Sequence, residues 1–134
     1  MKTRDRILSG SLTLFNVEGE ENVAALDVAN ALAISPGNLY YHFKGKDALI
    51  HALFDSFEEE MNLILQGADG RLETLEEHWV FIYILLEEIY DFRFFYRGLG
   101  ILTGRYPDLG RRLDRVNGQI RDLIERSLRS FGRA

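Results

Sequence analysis

Nine residues between positions 35 and 46 have side chains or backbone groups suited to binding DNA. They are Ser35, Pro36, Gly37, Asn38, Tyr40, Tyr41, His42, Lys44 and Lys46. An asparagine can form two hydrogen bonds to an adenine edge, and tyrosine hydroxyls and lysine ammonium groups suit phosphate oxygens. The proline can contact a thymine methyl group, the glycine permits close approach, and the N–H groups after Ser35 form an anion site at a helix N-terminus. This segment therefore predicts recognition of double-stranded DNA.

These features also have ordinary structural explanations. Two adjacent tyrosines on an amphipathic helix usually belong to a core, and Lys44-Gly45-Lys46 is usually a solvated turn. The combined spacing of the nine residues is what favours DNA binding. Lys46 adds one indication, because a cation at a helix N-terminus opposes the helix dipole and an external anion would compensate for it.

A helix-turn-helix is the element that would present these residues to DNA. In such a unit the first helix braces against the DNA backbone, and the N-terminal end of the second reaches base edges. Asn22 is predicted to cap the bracing helix, and Ser35 to cap a short reading helix that has Pro36 at its first position. The side chains predicted to pack between the two helices are Ala29, Ala33, Ile34 and Leu39.

The same segment closely resembles the N-terminal signature of TetR-family (TetR/AcrR-like) transcriptional regulators. The resemblance rests on Gly19, on Val28-Ala29 and on the run from Ile34 to Leu49, which contains Leu-Tyr-Tyr-His-Phe-Lys-Gly-Lys, and it extends over about residues 3–60. It implies that residues 35–42 form the recognition helix. By the same resemblance, Tyr40 and Lys46 would lie on operator phosphates, and Gly37, Asn38, Tyr41 and His42 would lie near bases.

The resemblance also implies a function. Members of this family usually repress transcription as homodimers that bind a near-palindromic operator, and a small molecule bound in the C-terminal half releases them. The predicted partners are therefore operator DNA, a second copy of the chain in the full-length protein, and an apolar or amphipathic effector. No cofactor and no membrane are expected.

Three features depart from the family pattern. Val23 and Ala24 stand where the family commonly has a threonine or serine that touches a phosphate, which leaves Asn22 as the nearest polar substitute. Ala33 replaces the turn glycine, so a positive φ there would be less favourable. The sequence ends at Ala134, whereas family members generally continue into two long helices that form the dimer interface, so the regulatory domain is expected to lack the last family helices.

Apolar residues recur with a period of about 3.6 residues throughout, which predicts an all-α fold. A helix-turn-helix DNA-binding domain is expected over residues 1–49. A long fourth helix would link it to a helical ligand-binding and dimerisation domain over residues 50–134.

The second half is predicted to contain three further helical stretches. Thr74 and Glu77 have the spacing of a capping box at the start of a fifth helix. Its buried stripe is predicted to be Leu75, Trp79, Ile82, Leu86 and Ile89. Helix is expected to continue, after a bend, from Asp91 to Leu102, and a last helix to end at Gly132.

Aromatic residues of this half are candidates for an effector pocket. The predicted lining residues are Trp79, Tyr83, Tyr90, Phe94 and Phe95, with Arg97 placed to meet an acidic group. Helix packing explains the rings equally well, and such arginines more often pair with surface acids such as Glu87 or Glu88.

Two alternatives from other functional classes stay open. His51, Asp55 and Glu58 lie at i, i+4 and i+7, so one helix face could hold the divalent metal of an enzyme, although exposed polar faces often produce this spacing. The other alternative is a helical interaction module that keeps the fold and no longer binds DNA. No catalytic motif is visible, so an enzyme is not predicted.

Composition limits the function classes further. The chain has no cysteine and no apolar run that resembles a signal peptide or a membrane span, so a cytoplasmic location is expected. Its net charge of −5 argues against non-specific coating of nucleic acid. Residues 1–49 carry five lysines and arginines against six acids, so DNA binding would require the acids to face away from the phosphates.

Overall fold

Helices make up most of residues 1–132, the part of the chain that a computed structural model describes, with side chains described to residue 130. They are α1 Thr3–Glu18, α2 Ala25–Ala31, α3 Pro36–His42, α4 Lys46–Ala68, α5 Leu75–Asp91, α6 Phe94–Arg97, α7 Leu99–Arg105 and α8 Pro107–Gly132, with a 3-10 turn at Glu20–Asn22. No β-strand occurs within this range, so the predicted all-α class is confirmed. Positions 133 and 134 of the predicted regulatory domain lie outside the described residues. None of the described helices is long and apolar enough to cross a membrane.

The first three helices and the start of α4 form a unit called the head below (residues 1–49). Ile7 of α1, Val28 of α2 and Leu39 of α3 belong to its core, and each is at most 3% exposed. Gly10 of α1 lies close to the end of α2, since a Cβ there would be 2.9 Å from Leu32 Cδ2 and would require the leucine side chain to shift. This packing holds α2 and α3 in place and turns the other face of α3 to solvent.

The long helix α4 belongs to both halves of the molecule. Its first turns bury Leu49 and Ile50 in the head, and its later turns pack against α5 and α8. Four phenylalanine rings, called the aromatic cluster below, meet with centroids 5.2 to 6.3 Å apart: Phe54, Phe57, Phe92 and Phe95. Contacts at such distances favour aromatic pairs beyond their buried area, so the cluster fixes α4 against the segment that follows α5.

The buried stripe predicted for α5 is wrong at three of its five positions. Leu75, Trp79 and Leu86 are exposed, while Ile82 and Ile89 are partly buried. The residues that α5 does bury are His78, Phe81 and Leu85. Because α5 is apolar around most of its circumference, its periodicity does not show which side packs against α4 and α8.

The helix predicted from Asp91 to Leu102 is divided into α6 and α7. The buried Asn16 of α1 explains the break between α5 and α6. Its side-chain amide binds the backbone on both sides of this break, in place of helical hydrogen bonds. Asn16 Nδ2 donates to the Asp91 carbonyl at 2.7 Å, and the Phe94 N–H donates to Asn16 Oδ1 at 3.1 Å. Gly98 separates α6 from α7. A contact from a distant helix therefore ends α5 here.

Two predicted helix caps also differ from expectation. Ala24, not Asn22, is the N-cap of α2, because the 3-10 turn holds Asn22 and the chain is extended at Ala24. The capping box of α5 forms only in part. Thr74 Oγ1 accepts from the Glu77 N–H at 3.1 Å as predicted, but the Glu77 carboxylate accepts from the Glu73 N–H rather than from Thr74.

Candidate nucleic-acid interface

The short helix α3 is built as its sequence predicts. Ser35 Oγ accepts a hydrogen bond from the Asn38 N–H at 3.0 Å, and Pro36 occupies the first helical position. Leu39 is 3% exposed and anchors α3 in the head core. This single anchor leaves the neighbouring residues of a two-turn helix facing outward.

All nine residues predicted to bind DNA are accessible to solvent. Ser35, Pro36, Gly37, Asn38, Tyr40, Tyr41 and Lys44 are exposed, and His42 and Lys46 are partly buried. Tyr40 and Tyr41 are 56% and 78% exposed, which contradicts the interpretation of these tyrosines as core rings. Aromatic and amide groups on this face are therefore free to meet a partner.

The turn between α2 and α3 has a positive φ at Ala33, a conformation that is unfavourable for alanine. Ala33 adopts φ 54°, in the left-handed region. The Ile34 N–H donates to the Ala29 carbonyl at 3.0 Å and closes the turn. An alanine in this conformation carries a steric strain that a glycine would avoid.

Two cations rest on aromatic rings at the C-terminal end of α3. Lys44 Nζ lies 4.6 Å from the centroid of Tyr40, and the Arg4 guanidinium carbon lies 5.2 Å from that of Phe43. Such contacts are electrostatically favourable and keep the charges beside the exposed face. Arg4 is absent from the predicted set; the basic residues at the start of α1 were the signal that could have identified it.

Lys46 is not a free surface cation. Its Nζ lies 3.1 Å from Glu20 Oε1 and also donates to the Glu20 main-chain carbonyl. Only 22% of the Lys46 side chain and 6% of the Glu20 side chain are exposed. A phosphate bound to Lys46, as the resemblance implies, would therefore share the ammonium group with Glu20.

The corner between α7 and α8 docks on the head at this same point. Arg105 donates to Glu20 through Nη1 at 2.9 Å and Nη2 at 3.1 Å, and this pairing raises the pKa of the guanidinium. The Tyr106 hydroxyl donates to the Asp47 carboxylate. Burial, with this hydrogen bond, raises the pKa of Tyr106 to about 12. No sequence pattern marks this contact, because long-range ion pairs leave no local spacing.

The rings predicted to line an effector pocket do not come together. Trp79, Tyr83 and Tyr90 are 62 to 64% exposed on α5. Phe94 and Phe95 are at most 3% exposed and lie within the core. The break after α5 turns the last two rings inward, so the predicted set does not form one cavity.

Arg97, the sixth predicted lining residue, has a structural contact instead. Its Nη1 donates to the Asn16 carbonyl at 2.7 Å and ties α6 to α1. An open apolar groove of about 710 Å³ lies elsewhere, between α4 and α5. Its lining includes Leu63, Ile64, Ala68, Val80, Phe81 and Ile84.

The three residues of the metal-site alternative all pair with α8. His51 Nε2 lies 3.0 Å from Asp108 Oδ2, and Arg112 Nη2 lies 2.7 Å from Asp55 and 3.0 Å from Glu58. These contacts hold α8 against α4. Among the described residues, no group of three or more histidine, cysteine or acidic side chains is arranged to hold a metal ion.

Comparison with known families accounts for most of the chain. The family model described as bacterial regulatory proteins of the tetR family matches residues 7–53. The model described as the bacterial transcriptional repressor TetR matches residues 56–134. Both halves of the sequence are therefore similar to parts of the same kind of regulator.

Individual proteins show the same likeness. The crystal structure of a TetR-family transcriptional regulator from Marinobacter aquaeolei VT8 is 37% identical, with a TM-score of 0.73 over 99% of this chain and 62% of that one. The regulator UidR of Escherichia coli K12 is 41% identical over 51 residues, which cover 38% of this chain and 26% of UidR. IcaR of Staphylococcus aureus strain Newman, a negative regulator of the biofilm operon icaADBC, is 24% identical over 121 residues, or 90% of this chain and 62% of IcaR. The chain spans less than two thirds of the length of each.

Proposed function

Because the chain belongs to the TetR family of bacterial transcriptional regulators, we propose that it binds double-stranded operator DNA and represses transcription. The exposed face of α3 is the observation that most directly supports this proposal. Asn38 and Tyr41 reach solvent on either side of the buried Leu39. Side chains at this place in a reading helix distinguish base pairs through their major-groove edges. A protein that binds operator DNA acts where the DNA is, so the proposal places it in the cytoplasm.

The nine residues divide into two roles in this proposal. Pro36, Gly37, Asn38, Tyr41 and His42 would lie near base edges, and Ser35, Tyr40, Lys44 and Lys46 would meet phosphates. Phosphate contacts orient the protein on the duplex, whereas base contacts carry the sequence preference. The two roles therefore respond differently to mutation.

The proposal includes a homodimer. One reading helix covers only one half-site, and coupling two half-sites raises affinity by a large factor without new contacts. A measurement of molecular mass in solution, with and without DNA, tests this point. We expect two chains per duplex that contains both half-sites.

The proposal also includes an effector, for which the groove between α4 and α5 is the best-supported place. Its apolar lining suits an apolar or amphipathic molecule, and α4 connects it to the head. The fluorophore anilinonaphthalene sulfonate is a suitable probe. We expect Ile84→Asp to reduce its binding, and the fluorophore to release DNA from the wild type. Unchanged binding to the variant would place the effector elsewhere.

Selection of duplexes from a random-sequence pool tests DNA binding itself. We expect an inverted repeat with half-sites about 10 base pairs apart, and affinities that fall as salt rises. Asn38→Ala should relax the preference at one base position, at a cost of about 1–3 kcal/mol on the preferred duplex. Lys46→Ala should weaken all duplexes alike and reduce the salt slope by about 1. Fluorescence anisotropy measures both.

Arg126→Gln is the matched control for these variants. It removes a positive charge from an exposed ion pair with Asp69 in the other half of the chain. Its DNA affinity should equal that of the wild type. If the selection recovers no preferred duplex, or if neither head variant changes affinity, the chain is better described as a helical interaction module of the same fold.

A further inference from the structure

We infer that Arg105 and Glu20 determine how much positive charge Lys46 presents to a DNA phosphate. The inference rests on the proposed DNA-binding function and adds two positioning residues to it. It also gives the position of α7 a direct effect at the DNA surface.

Glu20 is the centre of an ion triad that joins the head to the second half of the chain. Its nearly buried carboxylate accepts two hydrogen bonds from Arg105, at 2.9 and 3.1 Å, and Lys46 Nζ lies 3.1 Å from Oε1. Arg105 ends α7, Lys46 begins α4, and Glu20 lies in the turn after α1. Three elements that are distant in sequence therefore share one carboxylate.

The charges of this triad do not cancel. One carboxylate faces two cations, so one unit of positive charge remains. The two-pronged guanidinium of Arg105 matches the carboxylate geometry and neutralises it best. Lys46 Nζ donates to the Glu20 main-chain carbonyl and lies 3.1 Å from Oε1. Because 22% of the Lys46 side chain stays exposed, the remaining positive charge can still attract a phosphate oxygen.

Loss of Arg105 from the triad changes this balance. A buried carboxylate without a partner is costly, so Lys46 alone would then have to neutralise Glu20. The remaining pair has no net charge, and a phosphate must compete with Glu20 for the ammonium group. A shift of α7 that separates Arg105 from Glu20 should therefore lower DNA affinity even though α3 does not move.

The ion pair between Arg105 and Glu20, called the bridge below, could instead have a purely structural role. That role predicts a different set of mutant affinities. Arg105→Gln and Glu20→Gln both break the bridge between α7 and the head. If the bridge only docks α7, both variants should weaken DNA binding alike. If it acts through Lys46, only Arg105→Gln should weaken binding, because Glu20→Gln removes the group that competes with phosphate.

The test measures the DNA affinity of the full chain by fluorescence anisotropy. Two duplexes are used, the selected one and a mixed-sequence duplex of about 30 base pairs, a length that holds two half-sites. Arg105→Gln should weaken binding to both about fivefold, at the lower end of couplings between sites. Glu20→Gln and the double variant should bind at least as tightly as the wild type. In a Lys46→Ala background, none of these changes should alter affinity by more than about twofold. Arg126→Gln again controls for net charge.

A second readout needs no DNA. Acylation by an amine-reactive ester, followed by mass spectrometry, gives the labelling of Lys46 relative to the exposed Lys44. Arg105→Gln should lower this ratio and Glu20→Gln should raise it, and circular dichroism verifies that each variant is folded.

Three outcomes would overturn the inference. They are an equal loss of DNA affinity in Arg105→Gln and Glu20→Gln, an Arg105→Gln effect that persists without Lys46, and a labelling ratio unchanged by Arg105→Gln. Absence of wild-type binding to both duplexes would overturn the proposed function as well. The labelling ratio would then show separately whether Arg105 and Glu20 control the charge that Lys46 presents.

Discussion

The head and α5 differ in how they treat their apolar side chains. In α3 the apolar Leu39 is buried, and the exposed Asn38, Tyr40 and Tyr41 have hydrogen-bonding tips. On α5, five apolar side chains stay exposed together with two tyrosines: Leu75, Trp79, Val80, Ile84 and Leu86, with Tyr83 and Tyr90. Exposed apolar area of this extent usually marks an interaction site. The exposed face of α3 therefore offers polar groups to a partner, whereas the surface of α5 offers mainly apolar ones.

The two regions also differ in what holds them together. Local devices organise α3, namely the Ser35 cap and Pro36 at the first position. Contacts between distant residues organise the second half: Asn16 ends α5, and Glu20 binds Arg105 across 85 positions. Mutations that remove local devices should therefore act on the head, and mutations of distant contacts on the second half.

The largest expected effect comes from the aromatic cluster. Phe57 is fully buried and touches three other phenylalanine rings. Phe57→Ala should lower the free energy of unfolding by about 3–5 kcal/mol. Hydrogen exchange should show more loss of protection in α5 to α8 than in α1 to α3. Trp79→Ala, which truncates an exposed ring, should change stability by less than about 0.5 kcal/mol. Equal losses of stability in these two variants, or an equal loss of exchange protection in all helices, would contradict the difference drawn between the head and the second half.

A pH-dependent test is available at Glu88 on α5. Burial raises the pKa of Glu88 to about 8, and a hydrogen bond and charge from Glu60 and the charge of Asp91 act in the same direction. In the unfolded chain this carboxyl ionises near 4.5. The stability contributed by protonated Glu88 is therefore fully present below about pH 4.5 and is lost as the pH rises through about 8.

Glu88→Gln should remove this pH dependence. We expect the variant to be more stable than the wild type by about 1 kcal/mol near pH 9, after allowance for the partial exposure of the carboxyl, and about equally stable near pH 4. Thermal unfolding at both pH values measures the difference. Glu59→Gln, at an exposed position of α4 next to Glu60, is the control and should show no such change. If Glu88→Gln changed stability by the same amount at both pH values, the raised pKa assigned to Glu88 would be contradicted.

A smaller effect is expected at the start of α2, which has no side-chain cap. Ala24→Ser supplies an oxygen for the Asp27 N–H and should raise the free energy of unfolding by about 1 kcal/mol. Under the proposed function, its hydroxyl would also replace the serine or threonine that the family resemblance implies near a phosphate, so DNA binding should tighten. Ser35→Ala is the opposite change and should lower stability by about 1 kcal/mol. Chemical denaturation measures both changes. If the two variants shifted the free energy of unfolding in the same direction, local caps would not control the stability of the head.

The smallest effect is expected in the turn between α2 and α3. Ala33→Gly should relieve the left-handed strain at φ 54°. The gain is about 0.5 kcal/mol, because the greater flexibility of glycine in the unfolded chain offsets part of the relief. Denaturant titration measures it, and a loss of stability would mean that the turn tolerates alanine without strain.

The sequence alone determined the helical class and the geometry of α3. Helical periodicity, the Ser35 cap and Pro36 are local signals, and local hydrogen bonds satisfy them wherever the helix lies. The residue types of the candidate DNA-binding face were therefore predicted without tertiary contacts. The exposure of Tyr40 and Tyr41 was not, because adjacent tyrosines also suit a core.

Only the tertiary structure decided which side of α5 is buried, where α5 ends and how Lys46 is held. A helix that is apolar on most faces can pack in several ways, and its partner helices choose among them. Asn16 and Glu20 bind groups far along the chain, and such pairings leave no spacing in the sequence. The predicted effector residues were separated for the same reason, since the contact from Asn16 turns Phe94 and Phe95 into the core. Local chemistry thus specified the candidate DNA-binding face, and long-range packing specified how Lys46 is held beside it.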